Sequence, residues 1–192
     1  MRPEFKSFEK IPRLERLVWS ITEKIDGTNG IIHITEGAVY AGSRSRWLIN
    51  DGSKGWDNYG FGAWVESHAD ELRSLLGPGR HVGEWWGAGI QRCYGQQEKR
   101  FSLFSPWRYP DIPEAGSPEA SGCIISRVPL LASSSDLSTI GGWVEACSNL
   151  LTFGSTAAPG FPNPEGLVVT IGNQNYKLII NHSDKSKSRD GA

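Results

Sequence analysis

At 192 residues, 38% hydrophobic and 21% charged, the chain has enough apolar content for one sizeable core and too little for two. No apolar run reaches the roughly 18 residues a membrane helix needs and no signal peptide opens the sequence, so the expectation is a single domain over 1–192, cytoplasmic and without membrane contact. A formal charge of −1 argues against a general polyanion binder and leaves any nucleic-acid contact to local basic clusters.

Those clusters run from Arg2 to Arg16, join Arg92 with Lys99 and Arg100, and run from Lys185 to Arg189; a solvated face is the alternative for each. After a polar lead-in, residues 31–35 and 38–41 read as a hairpin turning at Glu36-Gly37. Phe61, Trp64, Val65, His68, Leu72, Leu75 and Leu76 follow helical spacing, with His68 expected as a packed core histidine and Gly77-Pro78-Gly79 as the stop. Short strands are expected over 81–86 and 100–107, then a surface loop over 110–122 rich in Pro, Gly and Ser. A helix over 136–151 places Leu137, Ile140, Val144 and Leu151 on its apolar face. Strands over 167–171 and 175–180 close the chain as a hairpin across Gly172-Asn173-Gln174. This order fits an α+β domain with antiparallel sheets and helices outside.

Other chemistry is poorly represented. Cys93, Cys123 and Cys147 are odd in number and too widely spaced for a metal clip, so they read as reduced thiols. His33, His68, His81 and His182 lack metal-ligand spacing, and neither a Gly-x-Ser-x-Gly elbow nor a phosphate-cradling Gly-x-x-x-x-Gly-Lys loop is present. Eight tryptophans, Trp85 and Trp86 among them, offer stacking platforms for bases, although most belong to a core.

The informative run is Thr22-Glu23-Lys24-Ile25-Asp26-Gly27-Thr28-Asn29-Gly30. An ammonium has no lone pair, so a nucleophilic Lys24 needs desolvation or nearby cations, for which Arg44, Arg46 and Lys177 are the candidates. Glu23 and Asp26 oppose that effect unless they orient the amine or sit beside a divalent cation. Gly27 permits a tight turn beside a ligand, and Asn29 offers an acceptor and donors. Lys-x-Asp-Gly alone arises by chance on the order of a few per cent of the time at this length, and its bland reading is a solvated turn.

Further segments follow in order: Ser43-Arg44-Ser45-Arg46, then Gly83-Glu84-Trp85-Trp86-Gly87 with Gly89-Ile90-Gln91-Arg92, then Phe101-Ser102-Leu103-Phe104, Pro164-Glu165-Gly166-Leu167-Val168-Val169 and Tyr176-Lys177-Leu178-Ile179. With the Lys24 run as motif I and Phe5-Lys6-Ser7-Phe8-Glu9-Lys10-Ile11-Pro12-Arg13-Leu14 as lead-in, the set resembles the covalent lysyl-nucleotidyltransferases, the ATP-dependent ligases and mRNA capping enzymes, and within them the RNA ligase family. In the family's order these segments match motifs Ia, III, IIIa, IV and V.

The resemblance implies the ATP-grasp-like nucleotidyltransferase fold of ligase catalytic domains, two sheets around an ATP cleft. It implies that Lys24 attacks the α-phosphorus of ATP to form lysyl-AMP, with Lys177 and Mg²⁺, or Mn²⁺ in its place, stabilising the charge and Glu165 beside the metal. Glu84 is implied to take the ribose hydroxyls and Phe104 to stack on adenine, with Phe101 as the alternative. Arg44 is implied to grip sugar-phosphate or a 5′-phosphate, with Arg46 able to do the same. Glu23, Asp26 and Asn29 complete the nucleotide-binding set. The acceptor would be RNA or nicked nucleic acid with 5′-phosphate and 3′-hydroxyl ends.

Two departures shape the expectation. Many relatives carry a second motif V lysine where this chain has Ile179, a role that Lys185 or Lys187 would have to fill. The sequence also ends soon after motif V, which points to a catalytic core without an oligonucleotide-binding domain, or one whose missing domain comes from a separate subunit. GTP-dependent capping and a nucleotide-binding or end-binding module without turnover are the alternatives.

Overall fold

The computed structural model describes residues 4–11, 13, 18–52, 55–134 and 139–180. In chain order its elements are β1 (Trp19–Lys24), β2 (Thr28–Ile34), β3 (Val39–Gly42), α1 (Phe61–Ser67), α2 (Ala69–Leu76), β4 (Gly79–Gly87), β5 (Lys99–Leu103), β6 (Ile125–Arg127), β7 (Leu130–Ser133), α3 (Thr139–Phe153), β8 (Gly166–Ile171) and β9 (Gln174–Ile179). They form an α+β architecture of two sheets, ordered β7-β1-β8-β9 and β3-β2-β4-β5-β6. Among the described residues no helix is long and apolar enough to cross a membrane.

The β2–β3 hairpin turns where expected, with the Thr35 N–H bonded to the Ala38 carbonyl at 2.9 Å. In the closing hairpin Ile171 faces Gln174, so the loop is the two residues Gly172 and Asn173. Strands β1, β6 and β7 were not anticipated, and β6 runs parallel to β5, unlike every other strand pair of the two sheets. The long connection from β5 to β6 permits this, since a parallel partner requires a crossover.

Three expected elements differ in detail. The helix over 61–76 breaks at His68, whose φ of −114° leaves the helical region while its Nδ1 lies 2.8 Å from the Trp64 carbonyl and 2.9 Å from Ser67 Oγ. His68 is therefore a half-buried hinge between α1 and α2 rather than a core residue. The strand expected over 100–107 stops at Leu103, because Ser105 takes a left-handed φ of 58° and Pro106 starts a short turn. On α3 the packed side is Trp143, Ala146, Cys147 and Leu150, while Val144 and Leu151 are exposed. That helix is apolar on more than one side, and the stripe that meets β1, β7 and β8 is the buried one; Leu137 and the side chain of Ile140 lie outside the described residues.

The larger sheet packs Ile32, Ile34, Trp85, Phe101 and Leu103 against Phe61, Val65 and Leu72 of α1 and α2. The smaller sheet packs Trp19, Ile21 and Leu167 against α3. A third cluster, with Ile25, Trp86, Tyr94 and Val128, draws on segments next to both sheets. Each fully buried large side chain contributes roughly 1.5–3 kcal/mol. Trp85 and Trp86 belong to these cores, so neither is the stacking platform the sequence suggested.

Candidate active site

Strand register brings the distant motifs together. Lys24 ends β1 and pairs with Gly166, which opens β8. Glu165 thereby comes against Lys24, with Nζ 2.6 Å from Oε2 and both side chains mostly screened from water. The nearest described partner of the lysine is thus a carboxylate, not one of the cations expected around it.

Glu23, one residue earlier, is 1% exposed. Its Oε1 accepts from Ser155 Oγ at 2.6 Å, and its Oε2 accepts the backbone N–H groups of Thr156 and Ala157 at 2.8 Å each. Burial pushes its pKa up, and the three donors pull it back. Glu23 borders the cleft, but its carboxylate anchors the loop after α3 instead of orienting the Lys24 amine.

Asp26 is also committed elsewhere: its Oδ2 accepts from Arg92 Nε at 2.8 Å, and its backbone N–H donates to Tyr94 Oη at 3.0 Å. Arg92 donates as well to the Asn163 carbonyl at 3.2 Å, so one guanidinium ties the lysine loop to the segment that carries Glu165. Asp26 is not among the cleft-lining residues. Arg92 is accordingly spent within the fold and is no basic landing site.

Between these ties the loop presses on β4. A Cβ at Gly27 would come 2.4 Å from the Trp85 carbonyl oxygen, so only glycine fits without displacing backbone. The Gly27 N–H donates to Glu84 Oε1 and Asn29 Nδ2 donates to Glu84 Oε2, each at 3.0 Å, across the register pair Asn29–Glu84. Desolvation pushes the Glu84 pKa up to about 8; Lys24 opposes the rise, while Glu165 and Asp26 add to it.

A cleft of about 560 Å³ opens over this arrangement, lined by Lys24, Asn29, Glu84, Arg44, Phe104, Trp107 and Lys177 among others. Val168 and Thr170 of β8 line it too, and their cross-strand partners Lys177 and Asn175 follow them onto the same face. Phe104 reaches the cleft because β5 has ended and its N–H bonds the Val82 carbonyl at 2.8 Å. Phe101 is fully buried against Phe61 and Trp64, which removes it as the alternative stacking residue. Arg46 lies outside the cleft, with Nη2 on the Gly55 carbonyl at 2.8 Å. Lys185 and Lys187 lie outside the described residues.

Among the described residues no group of three His, Cys, Asp or Glu side chains could hold a metal ion. Glu165 is then the single carboxylate that suits a hard cation, one that keeps most of its waters and arrives with phosphates.

A family model described as RNA ligase matches residues 17–133, more than half of the chain. The chain belongs to the RNA ligase family. No curated protein sequence matches it. Among solved structures, a Naegleria gruberi RNA ligase variant with ATP and Mn is similar at 16% identity and a TM-score of 0.55, over 85% of this chain and 49% of that one. A variant of the same ligase with AMP and Mn gives 17% identity and a TM-score of 0.56, over 86% and 50%. An apo variant gives 18% and 0.55 over the same shares. At such identity the likeness establishes a shared fold, and this member of the RNA ligase family spans about half the length of the Naegleria protein.

The fold thus brings Lys24, Asn29, Arg44, Glu84, Phe104 and Lys177 to one cleft, with Glu165 against Lys24. Tyr94 and Ser155, which brace the loop around Lys24, carried no recognisable signal, since each acts through long-range hydrogen bonds.

Proposed function

We propose that this chain has the nucleotidyltransferase fold and is an ATP-dependent RNA ligase acting through lysyl-AMP. The observation that carries the reading is the meeting of Lys24 with Glu165 in a cleft that also holds Glu84, Phe104 and Lys177. Family membership and the ATP and Mn named with the Naegleria structures support it.

In this reading Lys24 gives up a proton along its hydrogen bond to Glu165, and its freed lone pair attacks the α-phosphorus of ATP. A nitrogen–phosphorus bond forms as the bond to pyrophosphate breaks. Lys177 offsets charge growing on the phosphate oxygens, Phe104 stacks on adenine and Glu84 receives the ribose hydroxyls. Mg²⁺ or Mn²⁺, when bound, supplies further positive charge on those oxygens, and Glu165 is the carboxylate suited to hold it. AMP then passes to a 5′-phosphate RNA end, and a 3′-hydroxyl displaces it as the strands join.

Incubation with ATP labelled at the α-phosphate tests the first step. The expected result is an acid-labile label on the protein that is absent from Lys24→Ala and absent when the label is at the γ-phosphate. A label that persists in Lys24→Ala, or a preference for GTP over ATP, overturns the assignment.

A further inference from the structure

Beside the cleft lies a second, smaller recess of about 240 Å³, lined by Ile31, Ser43, Arg44, Arg46, Trp47 and Arg80 among others. Arg44 lines both. The recess is built by a tight turn: the Ser43 N–H bonds the Arg46 carbonyl at 2.8 Å, and the Leu48 N–H bonds the Ala41 carbonyl at 2.9 Å. This folds Trp47 back across β3, where a Cβ on Gly42 would come 3.1 Å from its ring, and Ile31 lies beneath.

Trp47 does not pack away from water there. It is 48% exposed and Tyr40 is 50% exposed, and the two rings are 6.2 Å apart with His33 at 5.9 Å from Trp47. Tyr40, His33 and Arg80 are successive cross-strand neighbours on β3, β2 and β4, so they form one row across the sheet. No carboxylate lines the recess, and among the described residues no ion pair involves Arg44, Arg46 or Arg80.

Half-exposed rings flanked by guanidinium groups, with no opposing acid, are complementary to unpaired bases on a phosphate backbone. We propose that Trp47, with Tyr40 and His33 and flanked by Arg46 and Arg80, is the docking surface for a single RNA strand leaving the cleft past Arg44. This rests on the reading of the cleft as the site where RNA ends are handled. For a chain of formal charge −1, such a surface would supply local positive charge, since three arginines line the recess and no carboxylate does.

The test uses the full chain and a 5′-phosphorylated, 3′-dye-labelled oligouridine of about ten nucleotides, read by fluorescence anisotropy. Trp47→Leu keeps apolar cover over Gly42 and Ile31 but removes the π face, whereas Trp47→Phe keeps both. Trp47→Leu is expected to weaken binding by at least about fivefold, with Trp47→Phe close to the parent. Arg80→Gln is expected to lower the slope of log affinity against log salt by about 0.7. Binding by Trp47→Leu within about twofold of the parent overturns the proposal, as does equal loss in Trp47→Phe, which would mark a packing effect. Tighter binding of duplex than of single strand also overturns it. Protein labelling by α-labelled ATP is measured on the same samples: its absence with strand binding intact refutes the ligase reading alone, and its presence with Trp47→Leu binding unchanged refutes this surface alone.

Discussion

Lys24 and Glu165 meet at 2.6 Å because the last residue of β1 is paired with the first residue of β8. In that pair Nζ donates to Oε2, so attack on phosphorus requires the pair to separate. A residue that receives this proton and also suits a cation should be felt twice. Glu165→Gln is expected to slow protein labelling by α-labelled ATP by about 10²-fold or more and to raise the Mg²⁺ concentration needed for half-maximal rate. Initial rates across a Mg²⁺ titration check this, and an unchanged rate with unchanged metal dependence would falsify the paired role.

Glu84 makes stability depend on pH. Its folded pKa of about 8 lies above its ordinary value of 4.5, so between these pH values the folded state holds the proton more tightly than the unfolded chain. Its contribution is therefore fully present below pH 4.5 and is lost as pH rises through about 8, a fall on the order of 3–5 kcal/mol in total. Glu84→Gln cannot ionise, so its urea midpoint should fall less than the parent's between pH 6 and pH 9. Parallel pH profiles for the two proteins would show that burial does not hold the proton on Glu84. Loss of ATP binding in Glu84→Gln at pH 9, where the parent carboxylate is ionised, is the functional counterpart.

Phe101 and Phe104 separate packing from ligand contact. Phe101 is fully buried among Phe61, Trp64 and Trp85, and its removal leaves a cavity. Phe101→Ala is expected to cost about 3–5 kcal/mol of stability. Phe104 lines the cleft and is only partly buried. Phe104→Ala is expected to change stability by about 1 kcal/mol or less while weakening ATP binding several-fold. Thermal melts and ATP titrations on both variants decide it, and equal destabilisation by the two would remove the distinction.

The cleft lining was legible because its chemistry is concentrated in short runs whose types and order carry meaning by themselves. Hairpin β2–β3 was legible for the same reason, its alternation and turn being local. What was not legible depends on long-range closure. Nothing near Asp26 in sequence indicates that Arg92 will neutralise it, and nothing near Glu23 indicates three donors from residues 155–157. Both acids therefore read as ligand-facing, whereas both Glu23 oxygens accept from the loop at 155–157 and Asp26 Oδ2 accepts from Arg92. The choice between Phe101 and Phe104 had the same character, since it turns on where β5 ends, and Ser105 ends it through a left-handed backbone that its residue type does not announce. Arg80 was missed for a related reason: it joins Arg46 and Trp47 only through the pairing of β4 with β2.

Glu23 tests how far the loop after α3 supports Lys24. Glu23→Ala leaves Ser155 Oγ and the Thr156 and Ala157 N–H groups without their shared acceptor, at positions where Ser155 is 3% exposed. Each stranded donor costs about 1–3 kcal/mol when water cannot reach it, and partial relaxation of the loop brings the expected total to about 2–4 kcal/mol. Glu23→Gln keeps one acceptor oxygen but turns an amide NH₂ toward a donor, so an intermediate loss is expected. Because Lys24 follows directly on β1, loosening this anchor should also slow protein labelling in Glu23→Gln while leaving ATP affinity near the parent's. Urea denaturation measures the first effect and single-turnover labelling the second. A Glu23→Ala protein as stable as the parent would mean that the loop at 155–157 finds other acceptors and that Lys24 is positioned without it.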